Sequence, residues 1–212
     1  MIAKEQDPVF DYRALRLLMG IIALALPIVV SVISSTALSS ISASYYTEAR
    51  DVFVGMLFIV GSFWMAYSGH TLKEKIASKW ASAAAISVAI FPTACDSCEP
   101  SMRFKVHAVA AVALFSILAY FCFGPFRKNT KGMPGKKGRR SKIYLTCGWI
   151  MVACMLVEVV ATYALPSETV NALRITYWVE ATALAAFGIA WIVAGKTIPV
   201  FVDPEERFRV FS

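Results

Sequence analysis

Ser40-Ile41-Ser42-Ala43-Ser44-Tyr45-Tyr46-Thr47-Glu48-Ala49-Arg50-Asp51 lies between two long apolar segments and leads straight into Val52-Phe53-Val54-Gly55-Met56-Leu57. The run is rich in hydroxyl side chains and closes on an Arg-Asp pair. An ionised Asp51 as the first residue of an apolar helix sits where the helix dipole favours negative charge. A solvated loop needs no such arrangement, whereas a polar lining at the mouth of a membrane bundle uses one. The stretch therefore reads as a connection between two membrane helices.

Composition agrees. Of 212 residues, 58% are hydrophobic and 17% charged, with a mean hydropathy of +0.63. Soluble domains carry about 45–50% apolar and about 25% charged residues. The excess is gathered into segments near the roughly 20 residues that cross a bilayer. Six spans are expected, at about 17–38, 51–67, 80–92, 105–123, 143–165 and 173–194. They are too long and too continuously apolar for barrel strands, which alternate over about 10 residues. The expected fold is all-α, a polytopic bundle of six transmembrane helices forming one integral membrane domain over 1–212.

Met1 to Arg16 reads as an amphipathic lead-in, and Pro27 is expected to kink the first span. That span exceeds the about 7–15 residues of a signal-peptide core, so it is read as retained. The third is rich in Ala and Ser, as close-packed membrane helices are, and ends at Phe91-Pro92-Thr93. Arg127 to Lys142 holds eight Lys or Arg, no acid and four Gly or Pro, and is read as a mobile basic loop. Seventeen of the 21 Lys and Arg fall in the N-terminal lead-in, the second and fourth loops and the tail. The positive-inside rule then places both termini and the basic loop in the cytoplasm, with the bacterial inner membrane as the expected location. The net charge of +7 is thus explained by topology and attraction to anionic head groups, not by nucleic acid.

Four ionisable residues fall in or at the spans on the outward side: Asp51, His107, Glu158 and Glu180. Glu158 is about seven residues short of the outer end of span five, and Glu180 about seven into span six, so both lie roughly 10 Å deep. Carboxylates inside a bilayer are costly and by default mark functional sites facing the bundle interior. Asp51, His107 and Glu180 are candidates for catalysis and for holding a divalent metal that activates water. The two glutamates alternatively share a proton as general acid and base, or the cluster receives a lipid head group. The plain alternative makes each a tether: Glu180 to hydroxyls, Asp51 to Arg50 or its own helix N-terminus, His107 to a backbone carbonyl. His70, beside the second loop, reads as an interfacial residue.

Cys95 and Cys98 share an outward loop, where oxidising conditions favour a disulfide. No second C-x-x-C completes a four-thiolate zinc site. Cys122, Cys147 and Cys154 read as small buried apolar residues.

Ser40-Ile41-Ser42, the Asp-led second span, His107 near the start of span four, and the Trp178-Val-Glu-Ala-x-Ala-x-x-x-Phe-Gly-Ile-Ala-Trp191 run together resemble the DRAM/Frag/Sfk class of membrane proteins. Bacterial six-span proteins of unknown function are similar over Ser40 to Thr93. The resemblance implies six helices with cytoplasmic ends. It also implies an association with lipid-linked processes, such as glycolipid-anchor remodelling, known for eukaryotic members. It carries over Ser42, Asp51, His107 and Glu180; Glu158 has no counterpart. The three-His zinc hydrolases of the alkaline-ceramidase and adiponectin-receptor superfamily do not fit, because the two His here fall on opposite sides.

The leading expectation is a lipid-handling protein, its enzymatic status open, with an outward head-group pocket of Ser42, Tyr45, Tyr46, Asp51, His107, Glu158 and Glu180. The alternative is an accessory subunit of a larger membrane complex. Proton-coupled transport lacks the helix breaks and internal repeats common in transporters.

Overall fold

The computed structural model describes residues 12–69, 71–95 and 98–206. His70, the first eleven residues of the expected lead-in and the last six of the tail lie outside them. Among the described residues there are seven α-helices and no strand: α1 Tyr12–Ile33, α2 Arg50–Ala66, α3 Leu72–Ile90, α4 Met102–Phe123, α5 Gly135–Ala164, α6 Ser167–Ala172 and α7 Ile175–Ala194. Of these, α1, α4, α5 and α7 are long and apolar enough to cross a membrane. The chain is a helical membrane protein on that ground. In α1, Leu15, Met19, Ala23, Leu26 and Val30 form a buried stripe, while Leu18, Ile21, Ile28 and Val32 stand exposed. A helix apolar on all sides suits a partner on one face and lipid on the other.

The longer helices pack as a closed ring in the order α1, α2, α3, α4, α5, α7 and back to α1. Small residues set the closest approaches. On α1 and α7, a Cβ added at Gly20 would lie 2.7 Å from the Gly188 carbonyl oxygen, and one at Gly188 would lie 2.8 Å from that of Gly20. Between α2 and α3, Ser82 Oγ donates to Gly61 O at 2.7 Å and Ser78 Oγ to Tyr67 O at 2.6 Å. The middle of the ring is filled by Trp64, Phe121, Phe187 and Trp191, whose ring centroids lie 4.9 to 5.5 Å apart where they meet.

Three expected boundaries need correction. The first helix stops at Ile33, not near residue 38, so Leu38 to Ile41 become part of the loop between α1 and α2. The third starts at Leu72, not near Trp80, because Thr71 caps it: Glu74 N donates to Thr71 Oγ1 at 3.2 Å, and the Thr71 hydroxyl donates to Glu74 Oε1 at 3.2 Å. The basic segment is only half a loop. After turns through Gly132, α5 begins at Gly135 and carries Lys136 to Lys142 as its first two turns. Contacts with the C-terminal segment hold that helical extension: Lys136 Nζ donates to Val202 O at 3.0 Å, and Arg140 Nη2 to Glu206 Oε2 at 2.8 Å.

Candidate functional site

The outward residues are placed by the loop between α1 and α2. This loop folds back over the start of α7. Tyr177 N donates to Ser39 O at 3.0 Å, and Arg174 Nε donates to Leu38 O at 2.7 Å from a left-handed backbone (φ 52°). Glu180 then accepts the Ile41 backbone N–H at 2.6 Å, and the Ser42 N–H and hydroxyl point to the same carboxyl group. Ile41 and Ser42 open the short 3₁₀ turn Ser42–Tyr46, so Glu180 supplies the acceptor that a turn's N-terminus needs.

Thr176 Oγ1 donates to Glu158 Oε1 at 3.0 Å, while Glu158 Oε2 is sealed from solvent with no partner among the described residues. Thr176, which binds Glu158, stands one turn before Glu180 on the same face of α7. Ser42 and the two glutamates are thus brought together; the other expected members are not. Asp51 is exposed in the first turn of α2, instead of facing the bundle interior, because the buried stripe of that helix is set by Phe53, Leu57 and Gly61. His107 is buried, and its Nδ1 bonds to Phe91 O at 2.7 Å, tying α4 to the end of α3. Tyr45 is taken by Arg50, whose Nη2 donates to its hydroxyl at 3.0 Å, and the Tyr46 hydroxyl donates to Thr93 O at 2.7 Å.

No group of three or more His, Cys, Asp and Glu suited to a metal exists among the described residues. The three metal candidates Asp51, His107 and Glu180 are thus not gathered at one point: each lies at a different helix end. Cys95 and Cys98 are joined as a disulfide, with Cα atoms 5.1 Å apart.

Glu158 offers a sharp test. A carboxyl oxygen without a partner in an apolar setting is a cost that an apolar side chain removes. Glu158→Leu should leave stability unchanged or raise it by up to about 1 kcal/mol once the lost Thr176 bond is offset. Thermal unfolding in detergent measures this; a drop of several degrees would show that both oxygens are satisfied in the membrane.

The opposite end of the bundle is built differently. A cavity of about 670 Å³ opens where α1, α3 and α5 begin and α2, α4 and α7 end, and its walls include Tyr12, Arg16, Tyr67, Phe126, Arg140 and Tyr144. The charged residues on it are Arg13, Arg16, Lys137, Arg140 and Lys196 against Glu74 and Glu206. Arg16 Nη2 donates to the Tyr67 hydroxyl at 2.6 Å and Nη1 to Ala194 O at 3.2 Å. Its guanidinium lies over the Tyr67 and Phe126 rings, 5.4 and 5.5 Å from their centroids, a cation–π arrangement that fixes its plane. Arg140 is 2% exposed and gives only Nη2 to Glu206. Arg140 Nε, Arg140 Nη1 and Arg16 Nε are sealed from solvent and donate to no group among the described residues.

Glu206 is the acidic counterweight, with Lys196 Nζ at 3.6 Å and Lys137 Nζ at 3.7 Å besides Arg140. Burial pushes its carboxyl up, but the Arg140 hydrogen bond and the charges of Lys196, Arg140 and Lys137 outweigh this and hold it below the usual range. Lys196 is pushed down by burial, with Arg140 and Arg13 adding to the effect against the pull of Glu206. Because the folded-state value of Glu206 lies below its unfolded value, its contribution is present at neutral pH and is lost as pH falls through the folded value, beneath about 4.3. Hydrogen exchange at 199–206, corrected for intrinsic rates, is expected to lose protection below about pH 4. Protection unchanged down to pH 3 would assign the hold on this segment to Val202 and its apolar neighbours.

Nothing in the Arg16 or Arg140 environment stands out in the sequence. They are 124 positions apart, and each reads singly as an inner-side charge. Comparison of the chain with protein-family models, with curated proteins and with solved structures finds no match.

Proposed function

We propose that the protein is a six-span protein of the bacterial inner membrane, both termini cytoplasmic, that takes the head group of a membrane lipid into the Arg-lined cavity. The observation that carries this reading is the cavity itself: it gathers the ends of six helices around sealed arginine donors that the described residues leave unpartnered. Basic pockets between membrane helices on the cytoplasmic side suit anionic head groups.

The count of six treats α2 and α3 as spans as well. Their 17 and 19 residues extend roughly 25 and 28 Å, and Lys73, Lys75 and Lys79 on α3 lie toward the same end as the cavity. That end carries most of the Lys and Arg, which the positive-inside rule puts in the cytoplasm. The resemblance of Ser40-Ile41-Ser42, the Asp-led second span, His107 and Trp178 to Trp191 to the DRAM/Frag/Sfk class, whose eukaryotic members are associated with lipid-linked processes, supports the same reading. On this reading the outward Glu180 cluster holds a loop in place, and the ligand sits at the other end.

Native mass spectrometry of the protein purified in mild detergent tests it. Wild type is expected to retain a lipid that Arg140→Gln loses and Arg139→Gln keeps, since Arg139 is exposed and outside the cavity wall. Lipid-free wild type, or a protein subunit in place of lipid, would overturn the reading.

A further inference from the structure

We infer that the group bound in this cavity is a phosphoryl group carrying two negative charges, as in a phosphomonoester, held between Arg16 and Arg140. This deepens the reading above and rests on the cavity being a binding site. Charge comes first. With Arg13 and Glu74 left aside, the described wall still sets Arg16, Lys137, Arg140 and Lys196 against Glu206. Glu206 is already shared by Arg140, Lys137 and Lys196, and Glu74 takes the Thr71 hydroxyl. A neutral or zwitterionic head group leaves the positive excess of these described residues unanswered in a partly open cleft, where like charges repel more strongly than in bulk water. A dianion answers most of it.

Donor direction comes second. The unpartnered nitrogens sit on two helices, Arg16 Nε on α1 and Arg140 Nε and Nη1 on α5. Donors arriving from different helices need an acceptor with oxygens pointing several ways. A carboxylate has two oxygens in one plane; a phosphomonoester presents three in a tetrahedral array. Guanidinium groups suit phosphate through charge-assisted hydrogen bonds. Arg16 is held in plane by Tyr67 and Phe126, and Arg140 by Glu206, so neither has to be ordered when the ligand arrives. The volume of about 670 Å³ falls within the roughly 300–1,000 Å³ of small-molecule sites, leaving room for a head group beyond the phosphoryl.

Two sources offer this chemistry, a lipid head group and a soluble phosphate compound. The test uses the full chain in nanodiscs of phosphatidylcholine alone, or with added phosphatidic acid or phosphatidylglycerol, and separately in detergent titrated with inorganic phosphate against chloride at equal ionic strength. Binding is read from Trp fluorescence and native mass spectrometry.

Wild type is expected to favour phosphatidic acid at least tenfold over phosphatidylglycerol and phosphatidylcholine. Arg140→Gln and Lys137→Gln should each remove most of that preference, and Arg139→Gln none. Lys137 lies at the rim, about one-third exposed, so Lys137→Gln tests the preference without removing a buried side chain, as Arg140→Gln does. Equal retention of phosphatidylcholine and phosphatidic acid in the cavity would overturn the phosphoryl inference and leave the lipid reading standing. Saturable binding of inorganic phosphate, lost in Lys137→Gln and not accompanied by any lipid preference, would keep the inference and overturn the lipid reading. Indifference of wild type and all variants to every probe would overturn both.

Discussion

Gly188→Val is expected to leave little folded protein. A Cβ at this position meets the Gly20 carbonyl oxygen at 2.8 Å and Leu24 Cγ at 2.8 Å, and valine adds two methyl groups beyond it. A side-chain contact yields by changing rotamer; a backbone carbonyl on the facing helix yields only if α1 and α7 separate. Overpacking costs about 1–3 kcal/mol where side chains adjust, and a rigid neighbour puts this case at or above the upper end. Separation would also disturb the Trp191 indole bond to Met19 and the Arg16 bond to Ala194 O, so the damage reaches the cavity. Size-exclusion profiles and thermal unfolding in detergent measure it, with Gly55→Ala as the control, since nothing lies within 4 Å of a Cβ there. A Gly188→Val protein with the elution and melting of wild type would mean that the seam between α1 and α7 is looser than described.

Glu180→Leu has the second large effect, at the other end of the bundle. Ile41 is 2% exposed and Ser42 6%, so removing the carboxylate leaves buried N–H donors unpaired at about 1–3 kcal/mol each. The loop over α7 should gain hydrogen exchange from Leu38 to Tyr46, and the unfolding midpoint should drop. Glu180→Gln, which keeps one acceptor oxygen, should fall between wild type and Leu. Neither should alter lipid retention in the folded fraction. Loss of bound lipid in a well-folded Glu180→Gln protein would instead make the outward cluster the binding site.

The same residue shows how far the sequence could be read. A carboxylate in an apolar helix is visible as an anomaly, and Glu180, Glu158 and His107 were singled out on that basis. Their partners were not visible, because Ile41 N–H and Phe91 O are backbone groups that every residue carries. The apolar segments and the clustering of Lys and Arg marked the helices, since both follow from bilayer thickness and insertion. The helix starts at Leu72 and Gly135 are obscured in the sequence by the surrounding Lys and Arg, which hide the Thr71 cap and the turn through Gly132. The cavity was the least legible feature. It is made by helix ends scattered from Tyr12 to Glu206, and which of several inner-side arginines become sealed depends on packing alone.

The ring-filled middle of the bundle bears on what kind of traffic the cavity supports. Tyr67 and Phe126 on its wall pack against Trp64, Phe121 and Trp191 below, with Tyr144 against Phe126, and the three lower rings are fully buried. The cavity is therefore a cul-de-sac: whatever enters leaves by the same mouth. Crossing to the far side would require interlocked rings on α2, α4 and α7 to part together. If the cavity binds as proposed, exchange takes place at this one mouth, and its kinetics would be those of residence at a dead end, not of passage through a channel.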